Sequence, residues 1–348
     1  MTLTQFTLAN INDYQTFVEQ SLQATPYHSS AWGIAVEKCY GFNIRYFGLL
    51  QNNELIAVMP SVLMKTLKGK RLLCSLPYCD MGGILADTEA DGETLKRLVT
   101  EYVNSQGWEF EYRDTVSTTN HDIKEIADGT KVRMLYELLD DVEDHMASFK
   151  PKLRSQIKKA IKNGITARVI ANPQQKELDQ FYEVFAINMR DLGSPVHSKE
   201  WFKQIFSEYG NNAFLVLVDY EDKCVGGGVV IHSREKAVIP WASTLRDFNK
   251  MAPNMLLYWE VLSEVIRRRI TNFDFGRSGY NEGTYRFKKQ WGAQPCALQW
   301  ETLHNKQLVN ETSSEKSSLR TSVENVWQKM PVGLTTTLGP KIRKYISL

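Results

Sequence analysis

The chain has little of what marks several protein classes. Its five cysteines, Cys39, Cys74, Cys79, Cys224 and Cys296, are odd in number and contain no CxxC pair. A disulfide framework and a zinc ribbon are therefore excluded, and each thiol reads as a small buried side chain in a reducing compartment. The six histidines stand apart, without HxxxH or HxH spacing, so no metal centre is expected. No apolar run approaches the roughly 18 residues that cross a bilayer. The segment Met1–Phe6 has neither a basic n-region nor an apolar h-region, so no signal peptide is expected and the chain reads as cytoplasmic. Bulk charge is nearly balanced, 42 Lys and Arg against 40 Asp and Glu. Nothing here announces DNA, and any basic patch must be local. A GxSxG elbow, a Walker loop and a GxGxxG turn are all missing.

What is present is ordinary globular material, 43% hydrophobic and 24% charged. At 348 residues the chain exceeds one typical core, which predicts two domains. A first helix is expected over 11–22 with Asn12 or Asp13 as its cap, and a second over 31–39, capped by Ser29 or Ser30 and ended by Gly41. His28, at the turn between them, reads as packed rather than catalytic. Strands follow over 45–50, 55–64 (broken at Pro60) and 71–76, then a helix over 91–105 and a strand over 108–112. The loop 77–83 places Tyr78 and Asp80 beside Gly82 and Gly83. It reads either as a pocket wall or as a hairpin turn that needs positive φ. After a polar loop and a strand over 133–139, the acidic run 140–144 gives way to a basic helix over 151–163. Arg154, Lys158 and Lys162 form one stripe there, with Lys159 beside it, and Leu153, Ile157 and Ile161 form the apolar face. The stripe is either a solvated face or a phosphate and RNA contact.

The same plan then recurs. Helices over 176–192 and 198–209, three strands between 213 and 244, a helix over 254–269 and a strand over 273–275 repeat the order of 31–112. The fold class predicted is α/β (α+β), as two similar tandem domains, 1–145 and 146–305, each a mostly antiparallel mixed sheet flanked by helices. Residues 306–324 read as a polar linker. Val323–Leu348, with Trp327, Lys341, Arg343 and Lys344, reads as a docking tail, the alternative being a weak contact with a membrane surface. Two features of the second repeat point to a ligand. Gly226-Gly227-Gly228 lies within an apolar strand, where glycine marks a bulge or a close backbone approach. The helix beginning at Pro253-Asn254 offers free N–H groups at its positive end.

The densest signal is Phe273-Asp274-Phe275-Gly276-Arg277-Ser278-Gly279, continued by Gly283-Thr284-Tyr285-Arg286-Phe287-Lys288-Lys289-Gln290-Trp291-Gly292. A short strand becomes a glycine-rich turn and then a segment of alternating aromatics and cations. Glycines admit a ligand to the backbone, and cations neutralise an anionic one. The alternative is a basic surface hairpin.

This run resembles the FemAB-like acyltransferases, and among them the branch associated with exosortase/PEP-CTERM systems. Pro151–Ala160, Leu76–Leu85, Trp327–Pro331 and Leu338-Gly339-Pro340 resemble other parts of the same family. The resemblance implies a pair of GNAT-like domains and N-acyl or aminoacyl transfer from an activated donor, aminoacyl-tRNA or acyl-CoA, to an amine. That amine belongs to a small molecule or a glycan-linked acceptor in cell-envelope or exopolysaccharide biosynthesis. It also implies no tightly bound cofactor, a contact with tRNA, and a location in the cytoplasm or at the periphery of the inner membrane. The sequence departs from the GNAT pattern where a pyrophosphate loop Q/R-x-x-G-x-G/A is expected. Arg246–Ala252 stands there instead, which counts against acetyl-CoA and is compatible with a tRNA-borne or other donor.

Attack of a neutral amine on an ester or thioester carbonyl develops an oxyanion that needs fixed donors. Lys288 is the first candidate, by likeness to the family's FKK-type motif, against the alternative of a surface lysine. Tyr285 is the candidate proton donor or acceptor-positioning group, or else covers a sheet edge. Arg277, Lys289 and Arg154 are candidate phosphate contacts, with Ser278 beside them in the glycine turn. Asp274 is a candidate base, or else orients Arg277 or caps the turn. Trp291 either stacks on a base or sugar or belongs to the core. Asn254, Tyr78 and Asp80 complete the expected binding set. The reading from a different class is a non-catalytic carrier for a polysaccharide or lipid-linked intermediate.

Overall fold

A computed structural model describes residues 1–115, 126–310 and 318–348. Part of the polar loop expected after residue 113 and the middle of the linker expected at 306–324 lie outside the described residues.

The chain opens with strand β1 (Thr2–Phe6), helices α1 (Ile11–Gln20) and α2 (Ser30–Tyr40), and strands β2 (Asn43–Ile44), β3 (Tyr46–Gln51), β4 (Glu54–Met59), β5 (Val62–Lys65), β6 (Arg71–Cys74) and β7 (Leu85–Ala86). Helix α3 (Glu89–Gln106) and strand β8 (Glu109–Thr115) follow. Ser29 caps α2 by accepting from the N–H of Ala31, and Gly41 ends the helix at φ +70°. Neither Asn12 nor Asp13 caps α1. The N-cap is Asn10, with no side-chain bond to the helix, because the preceding 3-10 turn already ties its amide oxygen to Thr7. Pro60 ends one strand and allows the next to begin, as its missing N–H requires.

Strand β9 (Lys131–Glu137), helices α4 (Val142–Ser148) and α5 (Pro151–Lys162), strand β10 (Ile165–Ile170) and helices α6 (Gln175–Asp191) and α7 (Lys199–Tyr209) come next. Strands β11 (Ala213–Tyr220), β12 (Lys223–Ser233) and β13 (Lys236–Thr244), helix α8 (Pro253–Arg267), strand β14 (Asn272–Gly279) and helix α9 (Gly283–Lys289) continue the chain. It ends in β15 (Gln294–His304), β16 (Gln307–Asn310), α10 (Ser318–Lys329) and α11 (Val332–Arg343). The acidic run is the first turn of α4, where Asp141 accepts from the N–H groups of Glu143 and Asp144. In α5 the buried face is Leu153, Ile157 and Ala160, and Ile161 is 56% exposed. Spacing of four alone drifts around a helix of 3.6 residues per turn, so the third contact passes to residue 160. The alternative of a basic surface hairpin does not hold for the segment after Gly279, which forms helix α9. The expected linker contains β16 and most of α10.

Contacts divide the chain into two units, and the boundaries differ from the expected 145/146 and 305/306. The first unit takes Met1–Lys131, Cys296–Ser314 and Lys344–Leu348, and the second takes Val132–Pro295 and Glu315–Arg343. In the first unit, β1-β3-β4-β7 form an antiparallel sheet whose core of Phe47, Leu49, Leu95, Val99 and Phe110 lies under α3. A second sheet runs β2-β5-β6-β8-β15, with β16 on β15. Residues 298–302 pair with 111–115 across β8 and β15, which returns β15 to the first unit.

In the second unit the sheet runs β10-β11-β12-β13-β14-β9. It is antiparallel from β10 to β13, and β13 and β14 are parallel. The run Phe214–Val218 of β11 is buried at every residue, as a strand covered on both faces must be. Gly226, Gly227 and Gly228 leave room for protein, not for a ligand. A Cβ there would stand 2.6 Å from Thr244 Cγ2, 2.9 Å from Leu217 Cδ2 and 2.9 Å from Ile239 Cδ1 respectively. α10 and α11 pack against α6 in the same unit, with Trp327 buried.

Candidate active site

The parallel strands of the second unit part company. Lys236, Ala237 and Val238 of β13 pair with Asn272, Phe273 and Asp274 of β14. Beyond Val238 and Asp274 each strand runs on without the other, β13 to Thr244 and β14 to Gly279. Asp274 stands at this fork, only 5% exposed. Its Oδ2 accepts from Arg133 Nε at 2.9 Å and Nη2 at 2.8 Å, and its Oδ1 accepts from the Gly276 N–H at 2.8 Å. A buried carboxylate is tolerable when it is paired and bonded in this way. Gly276, at φ +76°, turns the strand immediately past the fork, a conformation that a Cβ disfavours. Lys288 Nζ donates to the carbonyls of Gly276 and Arg277 at 3.0 and 2.8 Å. The carbonyls of two successive residues thus share one ammonium.

Past the fork lies a cavity of about 260 Å³. Asn188 of α6, Ala242, Ser243 and Thr244 of β13, Asn254 and Tyr258 of α8, and Gly283, Thr284, Phe287 and Lys288 of α9 line it. Asn254 and Tyr258 are four apart in the first turns of α8, so they share one face at the helix's positive end. Asn188 Nδ2 donates to Ser243 Oγ at 3.0 Å, which leaves the amide oxygen and the second N–H for a ligand. Burial pushes the Tyr258 phenol up to about 12, so it keeps its proton at any working pH and can donate. Lys288 is the one cation among these side chains, and no carboxylate is among them. The cavity is at the small end of the range for ligand sites, the size of an acyl group and its leaving atom rather than of a whole cofactor.

Of the residues expected from the sequence, Lys288 and Asn254 line the cavity. Asp274 stands at the fork, both of its oxygens occupied, paired with Arg133 rather than Arg277. Tyr285 is buried on another side of α9, against Tyr280, with Lys289 Nζ 5.4 Å from its ring centre. The Ser278 hydroxyl is buried. Trp291 is core, 1% exposed and packed by Phe149, Tyr258, Phe275 and Phe287. Arg154 turns back on its own helix start and donates to the carbonyls of Ala147 and Phe149 at 2.7 and 2.9 Å. Tyr78 and Asp80 belong to the first unit. Tyr78 adopts φ +68°, and Asp80 offers its carbonyl to Trp300 Nε1 at 3.0 Å. His28 is buried, with Nδ1 at the Thr25 amide and Nε2 at the Gly83 carbonyl. The sequence reading missed Asn188, Ser243, Thr244, Tyr258 and Thr284. Only Tyr258 carried a local signal, as a phenol on the Asn254 face of a helix otherwise read as apolar.

Residues 147–289 match the family described as acetyltransferase (GNAT) domain. The solved structure of FemX superposes with a TM-score of 0.64 at 14% identity, covering 85% of this chain and 95% of that one. A tandem GNAT protein from the clavulanic acid biosynthesis pathway gives 0.53 at 9% identity, over 90% and 100%. The C-terminal domain of a putative lysylphosphatidylglycerol synthetase from Agrobacterium fabrum gives 0.53 at 10%, over 83% and 90%. No curated protein matches the chain in sequence. The fold is therefore a pair of tandem GNAT-like domains, and the matched segment contains the fork, α8, α9 and every residue of the cavity. The match of residues 147–289 to an acetyltransferase (GNAT) domain classes the protein as an acyltransferase. No helix of the described residues is long and apolar enough to cross a membrane.

Proposed function

We propose that the protein transfers an acyl or aminoacyl group from an ester or thioester donor to an amine, with the reacting carbonyl held in the cavity beyond the fork. The observation that carries this is the parting of β13 and β14 at Val238 and Asp274, with Tyr258 protonated and facing the space so formed. The acceptor nitrogen, as a free amine, attacks the carbonyl carbon. A C–N bond forms, the C–O or C–S bond to the donor breaks, and the amine's proton ends on the leaving alcohol or thiol. Tyr258 donates to the oxygen or sulfur that becomes negative, and Asn254 and Thr284 orient the acyl group. Lys288 acts through the strand. By holding the carbonyls of Gly276 and Arg277 it keeps β14 away from β13, and its nearness to the cavity adds a positive potential toward the oxyanion.

The donor is an aminoacyl-tRNA or an acyl thioester. Ala252, at φ +63° where a glycine loop is usual in the GNAT pattern, supports the first. The resemblance of 273–292 supports a place in the exosortase-associated FemAB-like branch, and hence a glycan-linked or other envelope amine as acceptor in cell-envelope or exopolysaccharide biosynthesis. The work would be done in the cytoplasm, with Lys341, Arg343 and Lys344 giving at most a weak hold on the anionic inner membrane. The test is a thermal-shift comparison of aminoacyl-tRNA, acyl-CoA and nucleotide sugars on the wild type and on Tyr258→Phe, followed by turnover with whichever donor stabilises. Stabilisation by a donor, with turnover lost in the variant, is expected. Stabilisation by glycans alone, without turnover, would overturn the transferase reading in favour of a carrier.

A further inference from the structure

The first unit repeats the parallel pair, and something fills the place beyond it. Leu72, Leu73 and Cys74 of β6 run parallel to Glu109, Phe110 and Glu111 of β8. Past Cys74 the chain leaves the sheet, and β8 continues to Arg113 and beyond. Arg113 is only 4% exposed; its Nη1 reaches the carbonyls of Leu76 and Cys79 at 3.4 and 3.3 Å, and the same guanidinium also meets residues 344–348 of the same unit. Nη1 donates to the Ser347 carbonyl at 2.9 Å, and Nη2 donates to Ser347 Oγ at 2.7 Å and to Glu111 Oε2 at 2.8 Å. The Ser347 hydroxyl in turn donates to Glu111 Oε2 at 2.6 Å. Tyr78 grips the segment twice, its N–H on the Ser347 carbonyl at 2.6 Å and its hydroxyl on the Lys344 carbonyl at 2.7 Å.

We propose that this is a binding site for an extended peptide, filled in this state by the chain's own residues 344–348. Three of these contacts go to main-chain carbonyls and two meet one hydroxyl, which is how a site reads a peptide carrying a serine rather than a metabolite. The Arg113–Glu111 pair supplies both a donor and an acceptor to that hydroxyl, a fork of charged groups that is costly to bury unless a polar ligand completes it. Tyr78 adopts a left-handed backbone that a non-glycine residue reaches only at a cost, and the result is an N–H aimed at the segment. Segment 344–348 is then an internal ligand, and an external peptide of like chemistry competes with it. This inference is independent of the transfer reaction.

The test uses the full chain carrying Ser347→Trp, whose indole cannot replace a hydroxyl held between an arginine and a carboxylate. Hydrogen exchange over 344–348 should rise sharply in the variant. A fluorescein-labelled peptide Lys-Tyr-Ile-Ser-Leu should bind the variant at least about tenfold more tightly than the wild type, and its Ser→Ala form should lose about tenfold. Unchanged melting away from this segment distinguishes release from unfolding. A segment that stays protected in Ser347→Trp, or a released site that ignores the peptide, overturns the proposal. So does equal binding of the Ser and Ala peptides.

Discussion

The two units answer the same topological event in opposite ways. In each, two parallel strands pair over three residues and then diverge. In the second unit β13 runs on as a strand to Thr244, so that a gap opens between the strand ends, and hydrogen-bonding groups line it, with Lys288 the one cation among them. In the first unit β6 stops at Cys74. The chain turns back through 75–83 until the Gly82 N–H bonds the Arg113 carbonyl at 3.1 Å, and residues 344–348 take up what polar capacity is left. A fork makes a cavity only where both arms keep going. The comparison separates an open fork from a filled one: the first is the proposed place for a reacting carbonyl, and the second the proposed place for a peptide.

The sharpest way to break that comparison is Arg133→Met. It leaves Asp274 buried without its partner at the very point where the strands part, and should cost about 3–5 kcal/mol of stability by thermal or urea melting. The double variant Arg133→Met/Asp274→Asn should recover much of that loss. A melting point unmoved by Arg133→Met would mean that the ion pair does not hold the fork. Next in size is Tyr258→Phe, expected to lower kcat by about a hundredfold or more with KM little changed, since the phenol acts on the leaving group. A larger effect on KM than on kcat would move Tyr258 from proton donor to binding contact.

Lys288→Met removes the donors from two carbonyls and should destabilise by roughly 1–3 kcal/mol, with Lys288→Arg retaining part of the function. If Lys288 instead met the oxyanion directly, kcat would collapse with stability intact. Asn188→Ala should raise KM several-fold through the loss of about 1 kcal/mol of hydrogen bonding to the bound acyl group, read by steady-state kinetics.

A last contrast between the two units runs through their histidines. His28 in the first unit has both ring nitrogens hydrogen-bonded. His145 in the second is 1% exposed, its Nδ1 accepts from the Leu139 N–H at 3.3 Å, and its Nε2 has no partner. Burial pushes its pKa down to about 4. The folded state therefore binds its proton less readily than the unfolded chain. This stability is present above about pH 6.5 and is lost as pH falls from there toward 4. Near-UV circular dichroism across that window should show the second unit loosening first, and His145→Gln should flatten the dependence.

Much of this architecture was legible in one dimension. Alternation and apolar runs located nearly every strand of the second unit, since a strand buried on both faces, as β11 is over Phe214–Val218, is written almost wholly in apolar residues. Helix ends were legible where glycine stopped them, at Gly41 and Gly107, because a left-handed residue is a local requirement. The segment 273–292 was singled out as a ligand site, and of the residues named from the sequence Lys288 within it and Asn254 on α8 line the cavity. What was not legible was which face of α9 meets the cavity. The sequence of cations and aromatics is nearly the same all round a short helix, and only the packing of Tyr285 against Tyr280 and of Phe287 and Lys288 against the fork assigns the sides.

The sequence by itself therefore determined the elements, the repeat of their order and the acyltransferase class, because propensity, periodicity and motif act over neighbouring residues. Tertiary structure decided which residues meet at the candidate site. Arg133 and Asp274 are 141 residues apart, Asn188 and Ser243 are 55 apart, and Arg113 and Ser347 are 234 apart. Hydrogen bonds between such partners depend on how strands diverge and which helix covers the gap, and no local pattern records that.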